Sequence, residues 1–582
     1  MELLSGNEAI ARGAWEAGAT IGVAYPGTPS TEAMEAFARF DDVYAEWCPN
    51  EKVAVEVGLG ASAAGARVLA TMKHVGVNVA ADPLYTAAYS GVGGGFVILA
   101  ADDPGMHSSQ NEQDTRFHAL GARIPVFEPS DSSEALAFTR DAFDFSERFD
   151  TPVFIRSTVR VSHTKCPVET SDRISCDPAP YRKDQAKWVM IPAFAKQRRL
   201  VLDGRLDAIR SYVEECPYNK IVPAVKASAN SPKVGVVCAG AVFQHVHEAL
   251  PEADILKLGI TWPLPAAQIA QFARSVDALY VIEETSDFLS TQVKALGIEV
   301  SDTQVPLPAA GELSPGLIRA AFGKVLPDRR EPEADLPGRP PALCPGCPHR
   351  LVFRELSRMR AIVTGDIGCY TLGALAPLSA MDTCIDMGAS ISMAHGFELG
   401  LADRKHAPVV AVIGDSTFAH SGITSLLNTV YNQGAGTVCI LDNRTTAMTG
   451  RQGNPCNGVT LQNRPSREVD LPKLIEALGV NHIEQADPQN LQEVRRALTA
   501  AVKEPSLSVV IFRSPCVLLE RPVRKRYFIK DDCRGCGVCS LLGCPAISKD
   551  SESLKASIDP SLCVGCSQCA QICGFGCIAQ EA

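Results

Sequence analysis

Residues 407–450 are APVVAVIGDSTFAHSGITSLLNTVYNQGAGTVCILDNRTTAMTG, and this stretch contains the pattern that decides the fold. Two apolar runs predict buried strands at 409–414 and 437–442. The segment between them predicts a helix at about 421–433. A strand, a helix and a second strand in this order form a β-α-β unit, which places the two strands parallel in one sheet.

Polar residues stand at the carboxyl ends of both predicted strands. Gly414, Asp415 and Ser416 end the first strand, and Asn443 and Thr445 follow the second. Because the carboxyl ends of parallel strands open onto one crevice, these groups are expected to lie close together. Mg²⁺ prefers oxygen ligands, which the Asp415 carboxylate, the Asn443 side-chain carbonyl and a backbone carbonyl near Thr445 would supply. The helix N-terminus after Asp415 would favour a diphosphate.

This arrangement resembles the thiamine diphosphate motif, in which GDG is followed by about 25 residues and then NN. Here the two parts are GDS and DN, so Ser416 and Asp442 depart from the motif. The Asp and the final Asn that bind Mg²⁺ in that motif are kept. The alternative interpretation is an ordinary β-α-β unit in which Asp415 caps a helix.

Cysteines are concentrated at the end of the chain. Of the 21 cysteines, nine lie between Cys533 and Cys577, and two runs open as C-x-x-C-x-x-C. In bacterial ferredoxins, three cysteines of one such run and the last cysteine of the other hold each 4Fe-4S cluster. The spacing therefore predicts two clusters. The first would use Cys533, Cys536, Cys539 and Cys573, and the second Cys563, Cys566, Cys569 and Cys544.

Two details depart from the ferredoxin pattern. Four residues separate Cys539 from Cys544, and Gly574 follows Cys573 where a proline is usual. Cys577 is left over. The alternative is that these cysteines bind zinc. Zinc sites usually combine two C-x-x-C pairs, and two triplets with two single cysteines fit that arrangement poorly.

The rest of the chain alternates short apolar strands with small-residue helices, which predicts an α/β protein with parallel sheets. We expect two doubly wound domains, a third α/β domain between them and a small α+β tail. The expected segments are a first domain 1–165, a connector 166–232, a middle domain 233–328, a linker 329–342, a diphosphate domain 343–520 and a cluster domain 525–582.

Composition excludes several classes of protein. The chain has 582 residues, 46% of them hydrophobic, and a net charge of −11, which gives no reason to expect a nucleic-acid partner. No apolar run approaches the roughly 20 residues of a membrane span. The first residues, MELLSGNEAIARG, lack the pattern of a signal peptide. We expect a soluble cytoplasmic protein without a membrane partner.

The combination of a thiamine motif with ferredoxin cysteines is typical of the 2-oxoacid:ferredoxin oxidoreductases. Over most of its length the chain resembles the alpha subunits of the indolepyruvate ferredoxin oxidoreductases within that family. The stretches that carry the likeness are YPGTPSTE, DDPGMHSSQNEQDTR, CPGCPHR, GDSTFAHSGI and DNRTTAMTG. The resemblance identifies domain 1–165 as pyrimidine-binding and the middle domain as similar to the transketolase C-terminal domain.

The resemblance also implies an activity. It implies oxidative decarboxylation of arylpyruvates, above all indole-3-pyruvate, with coenzyme A as acyl acceptor and ferredoxin as electron acceptor. A separate beta subunit would complete the enzyme. Three alternatives stay open: another 2-oxoacid substrate, an electron-relay subunit with a vestigial thiamine fold, and a non-redox thiamine decarboxylase.

Residues of the first domain take their expected roles from the same resemblance. Glu51 is the candidate for the carboxylate that activates the aminopyrimidine of thiamine, and Glu56 is its competitor. Thr28, in the loop YPGTPS of residues 25–30, is the candidate donor to the substrate carboxylate. A proline and glycine turn after a strand would by itself explain that loop. Lys73 with His74, and the loop His107 to Asp114, are further candidates near thiamine.

Four isolated cysteines suggest a third cluster next to thiamine. They match cysteines in related oxidoreductases and are Cys344 and Cys347 of ALCPGCPHR, Cys369 of DIGCY and Cys516 of SPCV. The alternative is a turn with buried thiols, because free cysteines are commonly buried.

Overall fold

The computed structural model describes residues 1–176, 181, 183–226, 232–325, 340–402, 404–519 and 524–581. The chain divides into two compact units, Met1–Ala334 and Asp335–Ala582. Both units are α/β and contain parallel sheets, which confirms the predicted fold class at this level. The boundaries of the smaller predicted domains stay predictions. Residues 329–339 of the predicted linker 329–342 lie outside the described residues.

The described residues of the first unit form three sheets. Its strands are β1 (Glu2–Ser5), β2 (Ile21–Ala24), β3 (Tyr44–Trp47), β4 (Val68–Lys73), β5 (Phe96–Asp102), β6 (Val126–Phe127), β7 (Val153–Thr158), β8 (Lys165–Val168), β9 (Lys220–Val222), β10 (Val234–Ala239), β11 (Asp254–Leu258), β12 (Ile260–Trp262) and β13 (Ala278–Val281). The orders are β12-β6-β7-β5-β4-β2-β3, β13-β10-β11-β9 and β1-β8. All seven residues of β5 are buried, as expected of a strand covered by helices on both faces.

Helices connect and cover these strands. They are α1 (Gly6–Glu16), α2 (Thr31–Phe37), α3 (Glu51–Ala63), α4 (His74–Val79), α5 (Ala81–Ser90), α6 (Thr115–Ala122), α7 (Ser132–Phe149), α8 (Val159–His163), α9 (Gln185–Trp188), α10 (Pro192–Val213), α11 (Gly240–Ala249), α12 (Ala266–Ala273), α13 (Phe288–Ala295) and α14 (Pro315–Ala321).

Two features of this unit differ from the sequence expectation. The predicted connector contains the 22-residue helix α10, whose Arg198 and Arg205 donate to backbone carbonyls at the end of α5 and to Asp150. The segment after β11 leaves the middle sheet, because β12 pairs antiparallel with β6 of the first sheet. Gly259 lies between β11 and β12, where a Cβ atom would come within 2.6 Å of Tyr218 Cβ.

The second unit is built on one parallel sheet. Its strands are β14 (Ile362–Gly365), β15 (Thr383–Cys384), β16 (Val409–Gly414), β17 (Thr437–Asp442), β18 (His482–Ala486) and β19 (Ser508–Arg513), in the order β15-β14-β16-β17-β19-β18. β16 and β17 have the predicted bounds, and every residue in both is buried.

The helices of the second unit are α15 (His349–Met359), α16 (Ala389–Leu401), α17 (Asp415–Thr417), α18 (Ile423–Tyr431), α19 (Leu471–Ala477), α20 (Leu491–Ala501) and α21 (Gln568–Ile572). The segment predicted as one helix at about 421–433 begins earlier, because a π-helical turn, Phe418–Gly422, joins α17 to α18. Asp415 is the first residue of α17, and Gly414 is its N-cap residue.

The tail consists of short elements that pack on the rest of the second unit. β20 (Tyr527–Ile529) pairs antiparallel with β23 (Ile578–Gln580), and β21 (Ile547–Lys549) with β22 (Ala556–Ile558). A 3₁₀ turn, Val538–Leu542, precedes Cys544. Gln568 Nε2 donates to the carbonyl of Cys347 at 3.0 Å and to Gln489 Oε1 at 2.6 Å, so side-chain hydrogen bonds hold the tail to the α/β body.

No helix among the residues that the structure describes has the length and apolar character needed to cross a bilayer.

Candidate functional site

The crevice at the ends of β16 and β17 contains the predicted magnesium ligands. The two strands are parallel neighbours, with Gly414 opposite Leu441. The side chains of Asp415 and Asn443 follow the ends of these strands, and both residues are buried. The parallel register therefore places the two at one edge of the sheet, as the sequence pattern predicts.

Asp415 is a buried carboxylate close to a second one. Its Oδ2 accepts a hydrogen bond of 3.0 Å from Asn454 Nδ2. Burial, together with the charge of Asp442, raises the pKa of Asp415 to about 7. Arg513 Nε donates to Asp442 Oδ2 at 2.6 Å and offsets part of that charge. A cation beside Asp415 would favour its ionised form, so this donor fits Mg²⁺.

The loop after β17 completes the crevice. The backbone N–H of Thr445 donates to Asn443 Oδ1 at 3.2 Å, and Thr445 Oγ1 donates to the carbonyl of Gln452 at 3.1 Å. Thr446 Oγ1 donates to Ser416 Oγ at 2.8 Å. The structure therefore brings Ser416, Asn443 and Thr445 together with Asp415, while their roles as ligands stay predictions.

Sequence reasoning missed several residues of this crevice. Asn454 comes from a loop, and His349 comes from α15, where its Nε2 lies 3.4 Å from Asn443 Nδ2. Burial lowers the pKa of His349 to about 4, so the imidazole is neutral at pH 7. Tyr370 donates from its hydroxyl to the carbonyl of Ile367 at 2.8 Å, and its ring lies so close that a Cβ on Gly414 would meet it at 2.6 Å. The motifs CPGCPHR and DIGCY contain His349 and Tyr370, but both were singled out for their cysteines, and no motif contained Asn454.

The cysteines of the tail line two separate cavities of the second unit. One cavity is lined by the cysteines Cys544, Cys563, Cys566 and Cys569. The other is lined by the cysteines Cys533, Cys536, Cys539, Cys573 and Cys577. These are the two sets that the ferredoxin spacing pairs, with Cys577 in addition. Most of the remaining lining residues are apolar or glycine.

The four isolated cysteines are also neighbours. The backbone N–H of Cys347 donates to the carbonyl of Cys344 at 3.0 Å, and burial with the nearby Cys344 and Cys369 raises the pKa of Cys347 to about 12. Burial with the nearby Cys516 and Cys344 raises the pKa of Cys369 to about 11. The backbone N–H of Cys516 donates to the carbonyl of Asn443 at 3.0 Å, next to the crevice.

A single metal ion has a different requirement from a cluster. Among the residues that the structure describes, no three His, Cys, Asp or Glu side chains converge as ligands of one ion would.

In the first unit, the two candidate carboxylates, Glu51 and Glu56, differ in burial. Glu51 is the first residue of α3 and is 4% exposed, and a Cβ on Gly76 would lie 2.5 Å from its Oε1. The side chain of Glu56 is 46% exposed and forms an ion pair with Lys52. Burial is what a carboxylate acting on a bound ring would need.

Three segments of the first unit that contain candidate residues contact each other. Ser108 Oγ donates to the carbonyl of Thr28 at 3.3 Å, and Lys73 Nζ donates to the carbonyl of Ser108 at 2.9 Å. His74 Nε2 lies 3.1 Å from the carbonyl oxygen of Asn111. Burial lowers the pKa of Lys73 to about 8. The structure thus brings together the loop of Thr28, the end of β4 and the loop His107 to Asp114.

Two regions of the chain match known protein families. Residues 12–198 match the thiamine diphosphate-binding domain of pyruvate flavodoxin/ferredoxin oxidoreductases, and residues 366–512 match the C-terminal TPP-binding domain of thiamine pyrophosphate enzymes. Thiamine diphosphate is therefore supported as a cofactor. A solved structure, 2-oxoglutarate:ferredoxin oxidoreductase from Magnetococcus marinus, is 18% identical with a TM-score of 0.46 and covers 55% of this chain and 64% of that one.

Curated relatives match almost the whole chain. The indolepyruvate oxidoreductase subunit IorA of Thermococcus kodakarensis is 37% identical over 98% of this chain and 96% of its own length. The subunit IorA of Archaeoglobus fulgidus is 38% identical over the same shares. The chain therefore belongs to the family of the indolepyruvate oxidoreductase subunits IorA and is an oxidoreductase acting on 2-oxoacids.

Proposed function

We propose that this chain oxidises arylpyruvates such as indole-3-pyruvate with coenzyme A and ferredoxin as co-substrates. One observation carries the proposal: a single compact unit, Asp335–Ala582, contains both the crevice of Asp415 and the two cysteine-lined cavities. In the reaction, the bond between the carboxylate and the keto carbon breaks and CO₂ leaves. The acyl group forms a thioester with the sulfur of coenzyme A, whose thiol proton is released to solvent, and the electron pair left by CO₂ passes to ferredoxin one electron at a time.

The crevice residues fit the diphosphate end of the cofactor. Thiamine diphosphate, when bound, supplies a nucleophilic carbon and takes up the electrons left by CO₂. Asp415, Asn443 and a backbone carbonyl near Thr445 would hold Mg²⁺, which in turn binds the diphosphate. Gly414 and Ser416 would lie against the diphosphate. The raised pKa of Asp415 supports this assignment, since a buried carboxylate gains most from a bound cation.

Two residues of the first unit have proposed roles towards the aminopyrimidine and the substrate. Glu51 would accept a hydrogen bond from the ring and favour its reactive tautomer, which its burial supports. Thr28 would donate to the substrate carboxylate. The bonds from Ser108 to the Thr28 carbonyl and from Lys73 to Ser108 would hold that loop in position.

The cysteine-lined cavities would hold two 4Fe-4S clusters. A cluster needs four thiolates around a compact body in an environment with little water, and both cavities supply this set of donors. The clusters would accept electrons from the thiamine site and pass them to ferredoxin. A third cluster, held by Cys344, Cys347, Cys369 and Cys516, would lie between the thiamine site and the other two clusters. This position is supported by the hydrogen bond from the backbone N–H of Cys516 to the carbonyl of Asn443, next to the crevice.

The proposal includes a partner. The family resemblance implies a beta subunit, which would form a heterodimer with this chain in the cytoplasm and complete the enzyme. The chain alone would then bind its cofactors yet turn over slowly.

Reduction of a viologen dye by the chain with its beta subunit tests the proposed substrate. We expect higher rates with indolepyruvate than with pyruvate or 2-oxoglutarate, and dependence on coenzyme A. Asp415→Asn should lower the rate at least about 100-fold through loss of a magnesium ligand. Glu476→Gln, at an exposed site of α19, is the control and should not change it. Full activity of Asp415→Asn would instead favour a relay subunit with a vestigial thiamine fold.

Paired substitutions test which carboxylate activates thiamine. Glu51→Gln keeps the size of the side chain but removes its charge, and should lower kcat by about 100-fold or more while KM changes little. Glu56→Gln only removes an exposed ion pair and should leave kcat within about twofold. The reverse pattern of rates would assign the role to Glu56.

Iron analysis and EPR spectroscopy of the reduced protein test the tail ligands. Cys544→Ser removes a proposed ligand and should lower the iron content by about four atoms per chain. Cys577→Ser removes the spare cysteine that lines the other cavity and should keep the iron of the unaltered protein. Equal iron loss in the two variants would contradict the assignment, and zinc in place of iron would refute the clusters.

A further inference from the structure

Arg350 is a buried cation, and every hydrogen bond that it donates within the described part of the chain goes to a backbone carbonyl. It is the second residue of α15 and 1% exposed. Its Nη1 donates to the carbonyl of Leu542 at 2.6 Å, and its Nη2 donates to the carbonyls of Leu343 at 2.6 Å and Cys344 at 2.9 Å. Its Nε is also buried and has no hydrogen-bond partner in the described part of the chain. The guanidinium therefore binds groups that carry no net charge.

Other buried arginines of the same chain are paired with carboxylates. Arg116 and Arg156 are likewise 1% exposed, and each forms ion pairs with aspartate and glutamate. No carboxylate of the described residues lies within 4.0 Å of the Arg350 guanidinium. An unpaired buried charge costs several kcal/mol, so a negative charge from another source is to be expected next to Arg350.

Cysteines of two sets surround this cation. Arg350 lines the cavity of Cys544, Cys563, Cys566 and Cys569. Its Nη2 also donates to the carbonyl of Cys344, which belongs to the isolated set. Arg350 is thus close to one cysteine of the tail and to one of the isolated set.

The surroundings of Gly346 show that the isolated cysteines lie close to the cysteines of the tail. It lies in the turn between Cys344 and Cys347 with φ +76°, and a Cβ on it would come within 2.6 Å of Val564 Cγ2 and 3.5 Å of Cys566 Cβ. The turn of the isolated cysteines therefore packs directly on the tail loop that contains Cys566, and Arg350 follows that turn.

We propose that Arg350 is the buried counter-cation of the cluster held by Cys544, Cys563, Cys566 and Cys569, and that its charge sets the reduction potential of this cluster. The inference rests on the proposed function, which supplies the clusters. A cluster held by four thiolates is anionic and becomes more so when reduced, and net charge and burial set its potential. A buried positive charge stabilises the reduced form most and raises the potential. Arg350 is a positioning residue in this role, since it acts through the cluster.

Redox titration followed by EPR, on the full chain with its clusters, tests the charge directly. Arg350→Gln should lower the ratio of reduced to oxidised cluster at a fixed potential about tenfold, which corresponds to 59 mV for one electron. Arg350→Lys keeps the charge and should stay within about threefold of the unaltered protein. Arg358→Gln is the control and should leave the potential unchanged, because Arg358 lies on the same helix but its side chain is 56% exposed and its charge is screened by water.

The outcomes distinguish an effect of the Arg350 charge from an effect of its lost hydrogen bonds. An unchanged potential in Arg350→Gln overturns the proposal, and so does an equal fall in Arg350→Gln and Arg350→Lys, since lost carbonyl bonds would then be the cause. If Arg350→Gln loses iron, the iron that each variant retains in the presence of a chelator is compared instead. Iron retained by Arg350→Lys but not by Arg350→Gln supports the proposal, and equal loss from both variants overturns it. Absence of iron from the unaltered chain would refute the proposed function itself.

Discussion

The parallel register between Val409–Gly414 and Thr437–Asp442 is the constraint on which the site depends. It ends both strands at one edge of the sheet, and Asp415 and Asn443, which follow the strand ends, are both buried at that edge. A shift of this register would separate the carboxylate from the amide. The loop after the second strand folds back onto the end of the first, because Thr446 Oγ1 donates a hydrogen bond to Ser416 Oγ.

Burial of charged groups connects this crevice with the cysteines. Asp415 has a raised pKa because it is buried beside Asp442, and the Cys347 thiol has a raised pKa because it is buried beside other cysteines. Arg350 is a cation buried in the same unit. Without bound groups the buried charges of Asp415 and Arg350 lower stability, and Mg²⁺ or an iron–sulfur cluster would offset that cost. The Cys347 thiol is neutral at pH 7 and carries no such cost. The hydrogen bond from the backbone N–H of Cys516 to the carbonyl of Asn443 connects the crevice directly with the isolated cysteines.

Much of the second unit could be predicted because its signals are local. Unbroken apolar runs gave the bounds of β16 and β17, and the cysteine spacing gave the sets that line each cavity, whose role as cluster ligands stays a prediction. Asn454, His349 and Tyr370 could not be found in this way, since they reach the crevice from distant segments and depend on tertiary packing. The same holds for β12, which is separated from β11 only by Gly259 yet belongs to another sheet, and for the π-helical turn before α18.

The most direct measurement is EPR spectroscopy of the chain with its beta subunit, frozen after indolepyruvate and coenzyme A are added without ferredoxin. If thiamine chemistry and the clusters belong to one electron route, the signal of reduced clusters appears at a rate at least equal to turnover. If the clusters stay oxidised while CO₂ and an aldehyde form, the protein is a non-redox decarboxylase and the proposed route is wrong.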